Sequence, residues 1–173
     1  MAFTALDVKK LREMTNVGMM DCKKALQATD GDMDKAVEYL REKGLSAAAK
    51  KADRVAAEGV VYAVADAAKK VGAIIEVNSE TDFVAKNADF NAFVAQCAQI
   101  IMEQNPADVD ALLACKTENG MTVEELLREK ILVIGENLKI RRFVREEGTL
   151  ATYIHAGGKI GVMVKFDVSD GIA

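Results

Sequence analysis

The sequence predicts an α+β chain: a small three-helix bundle over residues 1–45, a connecting helix over 46–56, and a core over 57–173 in which helices pack on an antiparallel β-sheet. Three observations carry that reading. Apolar residues recur at helical spacing through the N-terminal stretch, the period switches to that of strands at Gly59, and the strand-turn-strand pattern found there returns near the end of the chain.

In the bundle, Thr4 followed by Asp7 is a capping-box pattern, and Ala5, Val8, Leu11 and Met14 then repeat along one face to about Thr15. Asn16, Val17 and Gly18 predict a turn, and Cys22, Ala25 and Leu26 mark a second short helix that Thr29, Asp30 and Gly31 break. Asp32 caps a third helix whose apolar set is Met33, Ala36, Val37 and Leu40, with Arg41 and Lys43 in its last turn and Gly44 as its stop. Met19 and Met20 straddle a turn in this reading, so they serve either as core or as a soft contact surface. The segment LSAAAKKADRVAAEG is alanine-rich with little large apolar surface, which suits a connecting helix.

Strands are predicted from Gly59 to Ala65 and from Val71 to Asn78, joined by a turn at Asp66 to Lys70. After them the polar turn SETDF presents Asp82 and Phe83 side by side. An aromatic beside a carboxylate at a loop mouth is a contact tip, offering large area at low rotamer cost next to a group that fixes its orientation. A long amphipathic helix follows from about Ala88, carrying Phe90, Phe93, Val94, Cys97, Ile100 and Ile101 inward until Asn105 and Pro106. Asp108 to Cys115 predicts a short helix, and Thr122 with Glu125 caps another through Leu126, Leu127, Ile131 and Ile134, ended by Gly135. Leu138 to Arg145 reads as an alternating strand with a solvated charged face, and Thr149 to His155 and Ile160 to Phe166 as a last hairpin.

The two hairpins share a strand with a central tyrosine, a turn of small residues and lysine, then glycine and an apolar strand, which suggests a duplicated unit. A helix covers the first copy, and the chain stops at Ser169, Asp170, Gly171, Ile172 and Ala173, where the second copy's helix is due. The core is therefore expected to hold a complete first half and a truncated second repeat, one sheet face short of its cover, which leaves a homodimer open.

Composition narrows the function. With 173 residues, half of them hydrophobic, the chain can bury a real core. It shows neither a run of roughly 18 to 20 apolar residues nor a signal peptide's order, so a cytoplasmic location away from membranes is expected. Cys22, Cys97 and Cys115 lie in helix-like segments without C-x-x-C spacing and read as buried thiols. A net charge of −4 with mixed signs argues against direct nucleic-acid binding, and it makes a protein partner the better expectation. Phosphate-binding, dinucleotide, zinc-protease and hydrolase signatures are all missing. The sole histidine, His155, beside a glycine turn, reads as a surface polar contact.

LREMTNVGMMDCKKAL at 11–26, EVNSETDFVAKN at 76–87, IGEN at 134–137 followed by IRR at 140–142, and YIHAGGKIGV at 153–162 resemble bacterial elongation factor Ts, in the right order and over essentially the whole chain. The resemblance implies a ubiquitin-associated-like (UBA-like) N-terminal domain on an α+β core, and guanine nucleotide exchange on elongation factor Tu during translation elongation. It implies no cofactor, no metal and no covalent catalysis. Thr81, Asp82, Phe83 and Val84 stand at the family's TDFV, associated with pushing into the partner's GTPase domain and dislodging its magnesium ion. Arg12, Met19 and Met20 stand where the family's N-terminal domain touches the same GTPase domain. Ile134 and Gly135 match a further contact near the wedge, and His155 lies in the family's core subdomain as another contact. The chain lacks the second core half, coiled-coil insertion and C-terminal module of longer bacterial forms, so contact with the partner's more distant domain is not implied. A different reading of the bundle and its Gly-Met-Met loop is an adaptor for ubiquitin-like proteins or nascent chains, distinguished by whether binding survives deletion of residues 56–173. An enzyme would need a pocket of convergent perturbed groups.

Overall fold

The computed structural model describes residues 3–15 and 17–167. Its elements run α1 (Ala5–Thr15), α2 (Met19–Ala28), α3 (Met33–Lys51), β1 (Glu58–Asp66), β2 (Val71–Ser79), α4 (Asp82–Ala85), α5 (Ala88–Gln104), α6 (Val109–Ala114), α7 (Val123–Ile134), β3 (Lys139–Glu147), β4 (Thr149–His155) and β5 (Ile160–Phe166). The α+β class stands: helices open the chain, and antiparallel sheets with helices follow. Asn16 of the expected turn and the terminal Ser169, Asp170, Gly171, Ile172 and Ala173 lie outside the described residues. The chain divides into two compact units, Met1–Arg54 with Glu125–Asn137, and Val55–Glu124 with Leu138–Ala173.

In the first unit the capping signals act as their chemistry dictates. Thr4 N–H donates to Asp7 Oδ2 at 2.7 Å and Asp7 N–H donates back to Thr4 Oγ1 at 3.3 Å, while Asp32 Oδ1 accepts from Lys35 N–H at 3.0 Å. Val8, Leu11, Val17, Cys22, Ala25, Leu26, Ala36 and Leu40 form the core, and Leu132 and Val133 of α7 pack against it. The segment 125–137 thus adds a fourth helical partner to the bundle, which the contiguous boundaries at 45 and 56 do not include.

Gly44 does not stop the third helix. Helix α3 runs on to Lys51, so the expected connecting helix is its second half, and the chain leaves through a short turn at 52–54. The residues after it, LSAAAKK, are mostly strong helix formers that carry the helix on, and Gly44 has no left-handed backbone. It is buried facing α7, where an added Cβ would stand 3.5 Å from the Arg128 carbonyl oxygen, an ordinary contact.

In the second unit β1, β2 and β3 form an antiparallel sheet in that order, and β4 pairs with β5 as a separate hairpin. Ala73, Ile75 and Val77 of β2 are buried on the face that α5 covers, through the apolar stripe the sequence predicts from Phe90 to Ile101. Asn87 caps α5 by accepting from the Asp89 and Phe90 N–H groups at 2.8 and 3.1 Å, and Asn105 ends it in the left-handed region at φ 47° before Pro106. Strand β3 carries one extra residue opposite the step from Glu76 to Val77. That bulge turns Arg141 and Arg142 toward the same carboxylate, at 3.3 and 2.7 Å.

The β4–β5 hairpin lies on the other face of the sheet. The two hairpins have identical turn lengths, with Asp66 paired to Val71 and His155 to Ile160, and aligning the turns superposes Gly72 on Gly161 and Val61 on Leu150. Their packing is reciprocal. A Cβ on Gly72 would fall 2.8 Å from Leu150 Cδ1, and one on Gly161 would collide with Val61 Cγ1. Each hairpin inserts an aliphatic residue over the other's glycine, so neither position has room for a Cβ without a shift of its neighbours. The tyrosines are not equivalent in this alignment, since Tyr153 falls opposite Val64. Ala73, Ile75 and Val77 correspond to Val162, Val164 and Phe166, and these last three are exposed on the outer face together with Tyr153 and Ile160.

Candidate functional site

The segment expected to be a contact tip is a one-turn helix where the sequence predicts a polar turn. Strand β2 ends at Ser79, Thr81 takes an extended conformation at φ −124°, and Asp82 and Phe83 open the one-turn helix α4. The turn is amphipathic in the smallest possible way. Val84 and Ala85 are buried at 9% and 7% exposure, and Phe83 points out with 80% of its surface exposed. Two adjacent small apolar residues hold the turn to the unit's own core, leaving the large ring without cover. Val84 is thus an anchor of the tip, and Thr81 and Asp82 are half-exposed beside Phe83.

Charge organises the flank. Lys86 Nζ donates to Asp82 Oδ2 at 2.8 Å, one helical turn on, and this bond and charge hold the Asp82 carboxyl below its usual range and raise the Lys86 ammonium. Lys159, in the β4–β5 turn, adds attraction to Asp82 at longer range and pairs directly with Glu58 at the start of β1. Glu58 is itself placed by Asn78, whose amide donates to the Glu58 carbonyl oxygen at 3.0 Å, and Val61 N–H donates to the Gly158 carbonyl at 2.7 Å. Lys86 lies four residues beyond Asp82 and is local to the tip, whereas Glu58 and Lys159 were not legible as its neighbours, because the β1–β2 register and the packing of the β4–β5 turn on β1 bring them there.

The remaining expected residues fall in two groups. Arg12, Met19 and Met20 are exposed in the first unit, the methionines at 51% and 64%. Met19 and Met20 open α2 directly after Gly18, where neither is core, and Arg12 lies in the last turn of α1. Also in the first unit, half-buried Ile134 ends α7, and exposed Gly135 leaves it at φ 85° with its N–H on the Ile131 carbonyl at 3.0 Å. His155 belongs to the second unit, exposed at the end of β4, with Nδ1 3.1 Å from Tyr153 Oη and the two rings stacked at 27°.

A cleft of about 330 Å³ is walled by Asp66, Lys69, Arg145 and Glu147, whose charges pair with each other, Arg145 with Glu147 at 2.7 Å and Lys69 with Asp66 at 3.8 Å. The Glu76 carboxyl is pushed up by burial and, more strongly, pulled down by Arg142, Asn78 and Arg141, an ion-pair cluster with a structural explanation. Among the described residues no group of three His, Cys, Asp or Glu side chains could hold a metal ion, and no helix is long and apolar enough to cross a membrane.

Comparison with known proteins agrees with the motifs. The family model described as elongation factor TS matches residues 80–172, beginning just before the contact tip and running through the β4–β5 hairpin. Elongation factor Ts of Trichlorobacter lovleyi is 52% identical over 170 residues, 95% of this chain and 55% of that protein. The Clostridium perfringens protein of the same name is 54% identical over 165 residues, covering 94% and 54%, and that of Hydrogenovibrio crunogenus 52% over 172 residues, covering 98% and 58%. The chain spans about half the length of the curated relatives it matches. With the tip, the IGEN and IRR segments and the second hairpin all inside the matched region, the chain belongs to the elongation factor Ts family.

Proposed function

We propose that this chain is a guanine nucleotide exchange factor for elongation factor Tu, acting in the cytoplasm during translation elongation by pressing Asp82 and Phe83 into the partner's GTPase domain and displacing its Mg²⁺. The observation that carries the reading is the fully presented Phe83 ring on a turn whose next two residues are buried. An exchange factor performs no covalent step. It binds the distorted nucleotide site better than the relaxed one, and linkage makes it weaken the nucleotide as much as the nucleotide weakens it. Mg²⁺ is the largest local positive charge on a bound diphosphate, so its loss removes the main electrostatic restraint on release. Thr81 and Val84 complete the inserting segment. Arg12, Met19 and Met20 supply adaptable contact area to the same GTPase domain from the UBA-like domain, and Ile134, Gly135 and His155 add further contacts.

Release of fluorescent GDP from elongation factor Tu at fixed Mg²⁺ tests the reading. Strong acceleration by this chain is the expected result. No acceleration despite binding in a pull-down would remove the exchange function and leave a binding module. A homodimer in solution is the partner proposal that the exposed Val162, Val164 and Phe166 face supports.

A further inference from the structure

The wedge turn is far too short to hold its own shape. A single helical turn closes few internal hydrogen bonds, and its last carbonyls have no intrahelical donor. Backbone bonds at the ends of this turn include Ala85 N–H to Thr81 O at 3.4 Å, Lys86 N–H to Phe83 O at 3.2 Å and Asn87 N–H to Val84 O at 2.9 Å. Two side chains outside the turn bracket it. Ser79, fully buried at the end of β2, donates its hydroxyl to the Thr81 carbonyl at 3.0 Å. Asn91, in the first turn of α5, donates its amide to the Ala85 carbonyl at 2.9 Å and to the Asn87 carbonyl at 2.8 Å. Both Asn91 acceptors are carbonyl oxygens, so the amide nitrogen must face them, and an aspartate of the same shape could not make either bond while ionised.

We propose that Ser79 and Asn91 are positioning residues for Phe83. They tie the entry and exit of α4 to a sheet strand and to a long helix, so that the exposed ring is carried on a fixed turn. Rigid presentation matters because an ordering cost paid in the free chain is not paid on docking. It matters more where binding must distort a partner, since a ring free to swing away transmits no strain. This inference rests on the wedge reading, and the two can fail separately.

The test uses the full chain with Asn91→Asp, an isosteric change that removes the donors, and Ser79→Ala, which deletes one buried hydroxyl. Amide hydrogen exchange of the free chain is read at Ala85, Lys86 and Asn87, and fluorescent GDP release from elongation factor Tu is read as a function of factor concentration. The expected result is protection at those three amides reduced on the order of tenfold in Asn91→Asp, with α5 beyond its first turn unaffected. The maximal release rate should fall several-fold while the half-saturating concentration stays within about twofold, since the contacts remain and their leverage is lost. Ser79→Ala should show the same pattern at smaller amplitude. Unchanged protection overturns the clamp, and so does lost protection with an unchanged maximal rate in a preparation where Phe83→Ala slows release. Should Phe83→Ala itself leave release untouched, it is the wedge reading that has failed.

Discussion

Phe83 and Asp82 stand out in the sequence because an aromatic beside a carboxylate after an apolar strand has few other uses, and the structure places the ring in solvent. Ser79 and Asn91 do not stand out, because serine and asparagine are ordinary in any turn and only the fold shows which carbonyls they reach. Asp82 shows what pairing does to a titration. With its folded-state value depressed by Lys86, the pair's contribution is complete above the ordinary carboxylate value of 3.8 and is lost as pH falls through the lower folded value. The Asp82 carboxyl followed by NMR should therefore titrate below 3.8, and Lys86→Ala should move it back up. The thiols give a second test at this scale. Burial pushes Cys97 up to about 12 and also raises Cys22 and Cys115, and only Cys115 is partly exposed. A thiol reagent at neutral pH should label Cys115 slowly in the native chain and reach Cys22 and Cys97 only on unfolding.

At the scale of elements, most helices and strands were readable because their periods are clean, as in Phe90 to Ile101, and the misreading at Gly44 is the instructive exception. A glycine after basic residues is a good stop signal, but here the helix formers after it carry the helix on, and the α7 it faces comes from far along the chain, which no local pattern announces. The nearest atom to an added Cβ is at ordinary contact distance, so Gly44→Ala should stabilise the chain by about 0.5–1 kcal/mol through helix propensity. Gly44→Leu should destabilise it by forcing α7 away, and denaturant midpoints compare the two. In α7 burial raises the Glu129 carboxyl above its usual range, opposed by Lys130 and Arg41. A raised acid favours the folded state below the unfolded value of 4.5 and loses that contribution as pH rises through the folded one. Glu129→Gln should thus raise the denaturation midpoint at pH near 7.5, with the gap closing as pH approaches 4.5.

Across the whole molecule, the likeness of the two hairpins was visible in the sequence from their turns and glycines, but its purpose was not. Reciprocal insertion of Val61 and Leu150 over Gly161 and Gly72 needs both copies in place, and alanine at either glycine should weaken the β4–β5 packing. The interleaved chain path was not legible either, since α7 joins the N-terminal helices through side chains that could equally face a sheet. For that reason deleting residues 56–173 would remove part of the first unit's own packing and is a poor test of an adaptor role. The outer face of the second hairpin carries the homodimer proposal: sedimentation velocity should show association rising with concentration, and Val162→Glu should reduce it. The central claim remains that Phe83 drives nucleotide release. The most direct measurement is the saturating rate of fluorescent GDP release from elongation factor Tu with the wild-type chain and with Phe83→Ala, at fixed Mg²⁺ and with unfolding midpoints matched. A loss of most of the acceleration in the variant is the result expected, and an equal rate from both chains would contradict it.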